Sequence, residues 1–151
     1  ADTGGSGRGP AAYGGGVGWR PTFTRVSRFG MTHMCWFMDA AAPMTKTVED
    51  CAVMLGVIAG YDEKDPYTSH KPVPDYTVGM RDGVKGLRVG LIKELHQTPD
   101  MHPDVRRSIE ASLDTLRELG AKVKEVSIPL ADLAGAIFVG IAEIHSSTFS
   151  V

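Results

Sequence analysis

Leu87-Arg88-Val89-Gly90-Leu91-Ile92, the helix-like run from Pro103 to Gly120, and Val123-Lys124-Glu125-Val126-Ser127-Ile128 together decide the fold class. The first is a short apolar run of strand length. Pro103 suits the first position of a helix, Val105, Ile109, Leu113, Leu116 and Leu119 recur at helical spacing on the inward face, and Gly120 ends it. Residues 123–128 alternate with period two, Val126 and Ile128 sharing a face. Strand, helix, strand at this spacing predicts a β-α-β unit, and the class is α/β.

Working toward the N-terminus, Tyr61 to Arg81 carries Pro66, Pro72 and Pro74 and few apolar residues, which predicts a surface connection with His70 a solvated loop residue. Before it, Thr47 caps a helix whose first turn holds Glu49 and Asp50. Val48, Cys51, Ala52, Leu55, Ile58 and Ala59 recur at helical spacing, Gly60 stops the helix, and Cys51 on the inner face reads as an inert core thiol. Phe29 to Met44 is apolar and methionine-rich without a period, and its methionines are expected as core fillers or a pocket wall. Val17 to Val26 suits short strands and turns. The chain opens Ala1-Asp2-Thr3 and ends in an apolar stretch from Ile137, and residues 1–151 are expected to be one partial domain of a longer protein.

The composition is that of a folded chain rather than a disordered one: 151 residues, 42% hydrophobic and 23% charged. Sixteen basic against 18 acidic residues give a net charge of −2, without the basic field that nucleic acid or an anionic membrane would attract. Cys35 and Cys51 are too few for a disulfide scaffold and form no C-x-x-C pair. With no long apolar run and no signal peptide, a reducing, cytoplasmic setting is the expectation, without a membrane, metal or cofactor.

Eight of the 18 glycines lie within the first 18 residues, interleaved with Asp2, Arg8, Pro10 and Tyr13. That mixture is unlike a Gly/Ser linker and suits a backbone folded around a ligand. Three chemistries compete for Asp2-Thr3-Gly4-Gly5-Ser6-Gly7-Arg8. A nucleotide-phosphate loop lacks its G-x-x-x-x-G-K-[ST] pattern. An aspartic protease needs two carboxylates sharing a proton, and the chain has no second Asp-Thr-Gly or Asp-Ser-Gly. Acyl transfer with Ser6 as nucleophile remains, its flanking glycines freeing N–H groups for an oxyanion. Because Arg8 replaces the last glycine of G-x-S-x-G, the base and the fold differ from those of an α/β-hydrolase.

The run Asp2 to Tyr13, followed by Gly18-Trp19-Arg20-Pro21-Thr22, Arg25-Val26-Ser27-Arg28-Phe29-Gly30, Pro43 to Asp50, Ala59-Gly60-Tyr61-Asp62 and Gly86-Leu87-Arg88-Val89-Gly90, resembles the core of the amidase signature family. A weaker likeness reaches Ala142-Glu143 and Ser146-Ser147. The resemblance implies α/β/α layers around a large mixed sheet, and amide C–N hydrolysis by a Ser–cis-Ser–Lys triad. Its nucleophile corresponds to Ser6, and its oxyanion hole to the backbone N–H groups of Thr3, Gly4, Gly5 and Ser6. Asp2 and Arg8 match polar positions that orient the loop or a substrate, Arg8 having a structural ion pair with Asp2 or another carboxylate as its alternative. The family's lysine and bridging serine lie upstream of its Asp-Thr-Gly-Gly-Ser run.

This sequence also departs from the family. Gly7 stands where isoleucine or valine is usual, Gly14 where cysteine is common, and Phe37 and Ala42 where serine and glycine are usual. The implied substrate is a small linear carboxamide, the implied assembly a homodimer. A second reading is the A subunit of a tRNA-dependent amidotransferase, which takes ammonia from glutamine and works with partner subunits without itself binding nucleic acid. A third is a non-catalytic member serving as a binding module.

Overall fold

Helix α1 (Arg8–Tyr13), strands β1 (Val17–Gly18) and β2 (Met44–Thr45) and helix α2 (Val48–Ile58) are followed by β3 (Arg88–Ile92), the single turn α3 (Lys93–His96), α4 (Pro103–Glu118), β4 (Lys122–Val126) and α5 (Ala134–Thr148). The structure, a computed structural model, describes residues 1–148. They divide into two units, Ala1–Met80 with the stretch from Phe138, and Arg81–Ile137.

In the second unit β3 and β4 run parallel, Arg88 opposite Lys122 and Ile92 opposite Val126, with α4 as the crossover, which is the β-α-β unit expected. Gly86 N–H donates to Gly120 O (2.8 Å) and Lys122 N–H to Leu87 O (2.7 Å), so the loops flanking the strands are also zipped together. β4 stops at Val126 because the next residues turn onto Glu94, whose carboxylate accepts from Ser127 Oγ and from Ile128 N–H. The apolar stripe of α4 is covered only at its middle. Leu113 is buried and Ile109 and Leu116 half-buried, but Val105 and Leu119 at the ends are exposed, because the stripe is longer than the two strands beneath it.

In the first unit α2 begins as expected, Thr47 Oγ1 accepting from Asp50 N–H (3.1 Å). Cys51 and Leu55 form its buried face, whereas Val48 and Ile58 are exposed. The 61–81 connection lies on the surface, with His70 exposed and stacked on Tyr61 at 4.0 Å. It is pinned at two places. Arg25 donates to Tyr76 Oη (2.7 Å), Lys71 O (2.9 Å) and Pro72 O (2.7 Å). Buried Arg28 pairs with buried Asp65 at 3.4 Å while its guanidinium lies 4.4 Å from the Phe23 ring centre.

The methionine-rich stretch meets only half of the expectation placed on it: its methionines do not fill a core, but Met31 and Met44 each line a surface cavity. Met34 and Met44 are exposed and Met31 and Met38 only half-buried; the buried residues there are Cys35, Asp39, Ala40 and Pro43. A tight turn causes this, since the N–H groups of Met38 and Asp39 both donate to Cys35 O at 2.8 Å, folding the backbone inward and the longer side chains out. Residues 17–26 contribute only Val17–Gly18 as strand, paired antiparallel with Thr45 and Met44.

Gly7 and Ala42 meet in this unit. A Cβ at Gly7 would lie 2.6 Å from Ala42 Cβ and 3.3 Å from Asp2 Oδ2. The space that a side chain at position 7 would need is taken up by the methyl at position 42. In the full-length protein, Gly7→Ala alone is expected to cost about 1–3 kcal/mol by overpacking. Ala42→Gly on top of it should return at least about 1 kcal/mol, a coupling of the size contacting residues show. Unfolding of the two single variants and the double variant measures this, and strict additivity would show that the two positions do not share the space.

Candidate active site

Asp2 is wholly buried, and a buried carboxylate persists only when paired and hydrogen-bonded. Its Oδ1 accepts from Gly5 N–H (3.0 Å) and Arg8 Nη2 (3.1 Å); its Oδ2 accepts from the N–H groups of Gly7 (3.1 Å) and Arg8 (3.2 Å) and from Arg8 Nε (3.0 Å). Arg20 adds a second cation, its Nε 3.6 Å from Oδ1, while its Nη2 donates to Met38 O at 2.5 Å. Residues 2–8 therefore wrap around the carboxylate of their own first member. Gly5 completes the turn with φ +134°, a backbone that L side chains rarely adopt. The loop is anchored by a backbone bridge, Asp2 N–H donating to Ala40 O (2.7 Å) and Ala40 N–H to Asp2 O (3.2 Å).

The hydrogen bonds from the Arg8 guanidinium hold the Asp2 carboxyl at about 2, against an ordinary 3.8. Burial opposes them, and the N–H groups of Arg8 and Gly7 reinforce them. Arg8 thus makes the ion pair with Asp2, and its own side chain stays 53% exposed.

Ser6 sits on the outer side of the turn, exposed, just before α1. Among the described residues its hydroxyl makes no hydrogen bond, and neither do the N–H groups of Thr3, Gly4 and Ser6. Gly5 N–H is the exception among the four donors expected, because it is committed to Asp2. The loop thus divides its backbone donors into a set spent inward on a carboxylate and a set left open beside an exposed hydroxyl. Such a set can receive an oxygen on which negative charge develops.

Two side chains in this constellation carry no role in the sequence reading. Arg20 is one. Asp39 is the other: it is buried, accepts from Thr3 Oγ1 at 2.5 Å, and takes the N–H groups of Met34 (2.9 Å) and Cys35 (3.1 Å) on its other oxygen. Its signal in the sequence is that of a lone acid in the apolar run 29–44. Helix α5 supplies a wall, since a Cβ at Gly4 would lie 2.2 Å from Phe138 Cζ. Phe37 meets His145 edge-on, ring centres 4.8 Å apart. Among the described residues no group of three or more His, Cys, Asp or Glu is placed to hold a metal ion, and no helix is long and apolar enough to cross a membrane.

The Amidase family profile matches residues 1–150. The A subunit of glutamyl-tRNA(Gln) amidotransferase from Geobacter sulfurreducens is 46% identical over 147 residues, which make up 97% of this chain and 30% of that protein. Its counterpart from Trichlorobacter lovleyi is 45% identical over 147 residues, with the same coverage of 97% and 30%. Among solved structures, the A subunit of glutamyl-tRNA(Gln) amidotransferase from Thermotoga maritima matches with a TM-score of 0.86 at 31% identity, over 99% of this chain and 33% of that one. Native peptide amidase of Stenotrophomonas maltophilia matches with a TM-score of 0.80 at 32% identity, over 97% and 30%. The chain spans about 30% of the length of the curated relatives it matches.

Because the carboxyl of Asp2 is depressed in the folded state, its contribution to stability is complete above the unfolded value near 3.8 and is lost as pH falls through about 2. In the full-length protein, the side-chain carbon resonance of Asp2 is expected to titrate near 2, and Arg8→Gln to raise that midpoint. A midpoint at the ordinary value in the unaltered protein would show that the loop is not wrapped around an ionised Asp2.

Proposed function

The chain belongs to the Amidase family, and on that basis we propose that it carries the nucleophile segment of a serine amide hydrolase acting on linear carboxamides. Ser6 attacks the amide carbonyl, and the open N–H groups of Thr3, Gly4 and Ser6 receive the oxyanion. Asp2, with Arg8 and Arg20, holds the loop in shape through its inward bonds, Gly5 N–H included. The base is a neutral lysine working through a bridging serine, both placed by the family resemblance upstream of this run. The proton taken from Ser6 passes back through that relay to the leaving amine, and water then releases the acyl group. What carries this reading is one observation: an exposed, unbonded serine hydroxyl beside backbone donors that have no partner among the described residues.

A second reading is supported by the relatives themselves. The A subunits from Geobacter sulfurreducens and Trichlorobacter lovleyi are 46% and 45% identical to this chain, whereas the A subunit from Thermotoga maritima, at 31%, stands level with the peptide amidase at 32%. On that reading the same Ser6 chemistry acts on glutamine, and the ammonia goes to a substrate held by partner subunits. Glutaminase activity strictly dependent on a partner would favour it over hydrolysis of free amides.

In either case we propose that the 151 residues act as part of a chain about as long as their relatives. The isolated segment exposes a two-strand parallel sheet, and parallel sheets are ordinarily covered on both faces. It also exposes Val57, Leu119, Leu130 and Ile144. Expressed alone, it is expected to be molten or aggregated and without amidase activity; a sharp two-state melt with monomeric sedimentation would show it to be autonomous.

In the full-length enzyme, Ser6→Ala should lower kcat on the order of 10⁶-fold, as loss of a nucleophile does elsewhere, with little change in melting temperature because Ser6 is exposed and its hydroxyl makes no hydrogen bond among the described residues. Steady-state kinetics and a thermal melt of the variant test this, and retained turnover would remove Ser6 from the mechanism.

A further inference from the structure

We propose that Asp39 is a positioning residue for the oxyanion loop, acting through the hydroxyl of Thr3. This rests on Ser6 being the nucleophile. The two oxygens of Asp39 are used for different purposes. Oδ2 takes the N–H groups of Met34 and Cys35 and faces His33 Nδ1 at 3.3 Å, which accounts for the turn that Asp39 closes. Oδ1 has the Thr3 hydroxyl, at 2.5 Å. A carboxylate serving only its own turn would not need that second contact, which reaches 36 residues back in the chain.

The geometry shows what the contact does. Asp39 is 1% exposed and Thr3 8%, so neither side chain has water as an alternative partner. Threonine is stiff at χ1, and fixing its Oγ1 fixes the side chain relative to its own N–H and to the Thr3–Gly4 peptide. Those are two of the three open donors beside Ser6. The Asp2–Ala40 bridge holds the neighbouring residues, Asp2 before Thr3 and Ala40 after Asp39. The loop is therefore held at two adjacent points, by backbone at Asp2 and by side chain at Thr3. Asp2 determines which donors face inward, and Asp39 sets the aim of those that remain.

An oxyanion donor acts in the transition state more than in substrate binding, so misaiming it lowers kcat rather than raising KM. In the full-length enzyme, Thr3→Val removes the hydroxyl at nearly constant shape, and Thr3→Ser keeps it. With both assayed well below their melting temperatures, Thr3→Val is expected to lose kcat on the order of 10²-fold, the cost of a small misplacement, at unchanged KM. Thr3→Ser, which keeps the hydroxyl but not the β-branch, is expected to recover the greater part of that loss. Wild-type kcat in Thr3→Val, or an equal loss in Thr3→Ser, would overturn the proposal, the latter because it assigns the effect to packing. Ser6→Ala separates this from the underlying reading: if that variant keeps activity both fall, whereas an inactive Ser6→Ala beside a fully active Thr3→Val removes only the role of Asp39.

Discussion

A carboxylate without access to water is the constraint on which the first unit depends. Once Asp2 is buried, its charge must be met by donors in several directions, and the nearest supply is the chain that follows it. Three backbone N–H groups and the Arg8 guanidinium converge on it, with Arg20 alongside. That convergence sets the curvature of residues 2–8 and brings Ser6 to the outside of the turn. It also explains one of the glycines, since Gly5 takes a backbone conformation that other residues rarely adopt. The loop's shape has an electrostatic cause, and the position of its exposed serine follows from it.

The surrounding packing is adjusted to the same loop. The methyl of Ala42 takes up the space beside Gly7, and Gly4 admits the Phe138 ring of α5. The second unit has a complete β-α-β crossover, but its two-strand sheet covers only the middle of the α4 stripe.

What was legible in the sequence followed periodicity and capping. The strand expected at 87–92 is found at Arg88–Ile92, the helix from Pro103 reaches Glu118, and α2 starts at its threonine cap. These signals are local, so they survive without tertiary context. Helix α1 carries no such signal, because Gly9 and Pro10 sit in its first turn and its local propensity is poor. Helix α5 is apolar on several sides and shows no clear face, so the sequence offered only an apolar stretch from Ile137. Ser6, Asp2 and Arg8 were visible as a motif, but the division of the loop's donors was not, because it depends on where each N–H points. Asp39 was invisible for a related reason: its partner Thr3 lies 36 residues away, and only the folded chain brings them together.

The most direct test is covalent labelling of the full-length protein with a fluorophosphonate, followed by peptide mapping of the adduct. A single adduct on Ser6 is expected, formed more slowly in a folded Asp2→Asn variant whose loop has lost its charged anchor. An adduct on another serine, or none on Ser6, would contradict the assignment of this loop as the seat of the nucleophile.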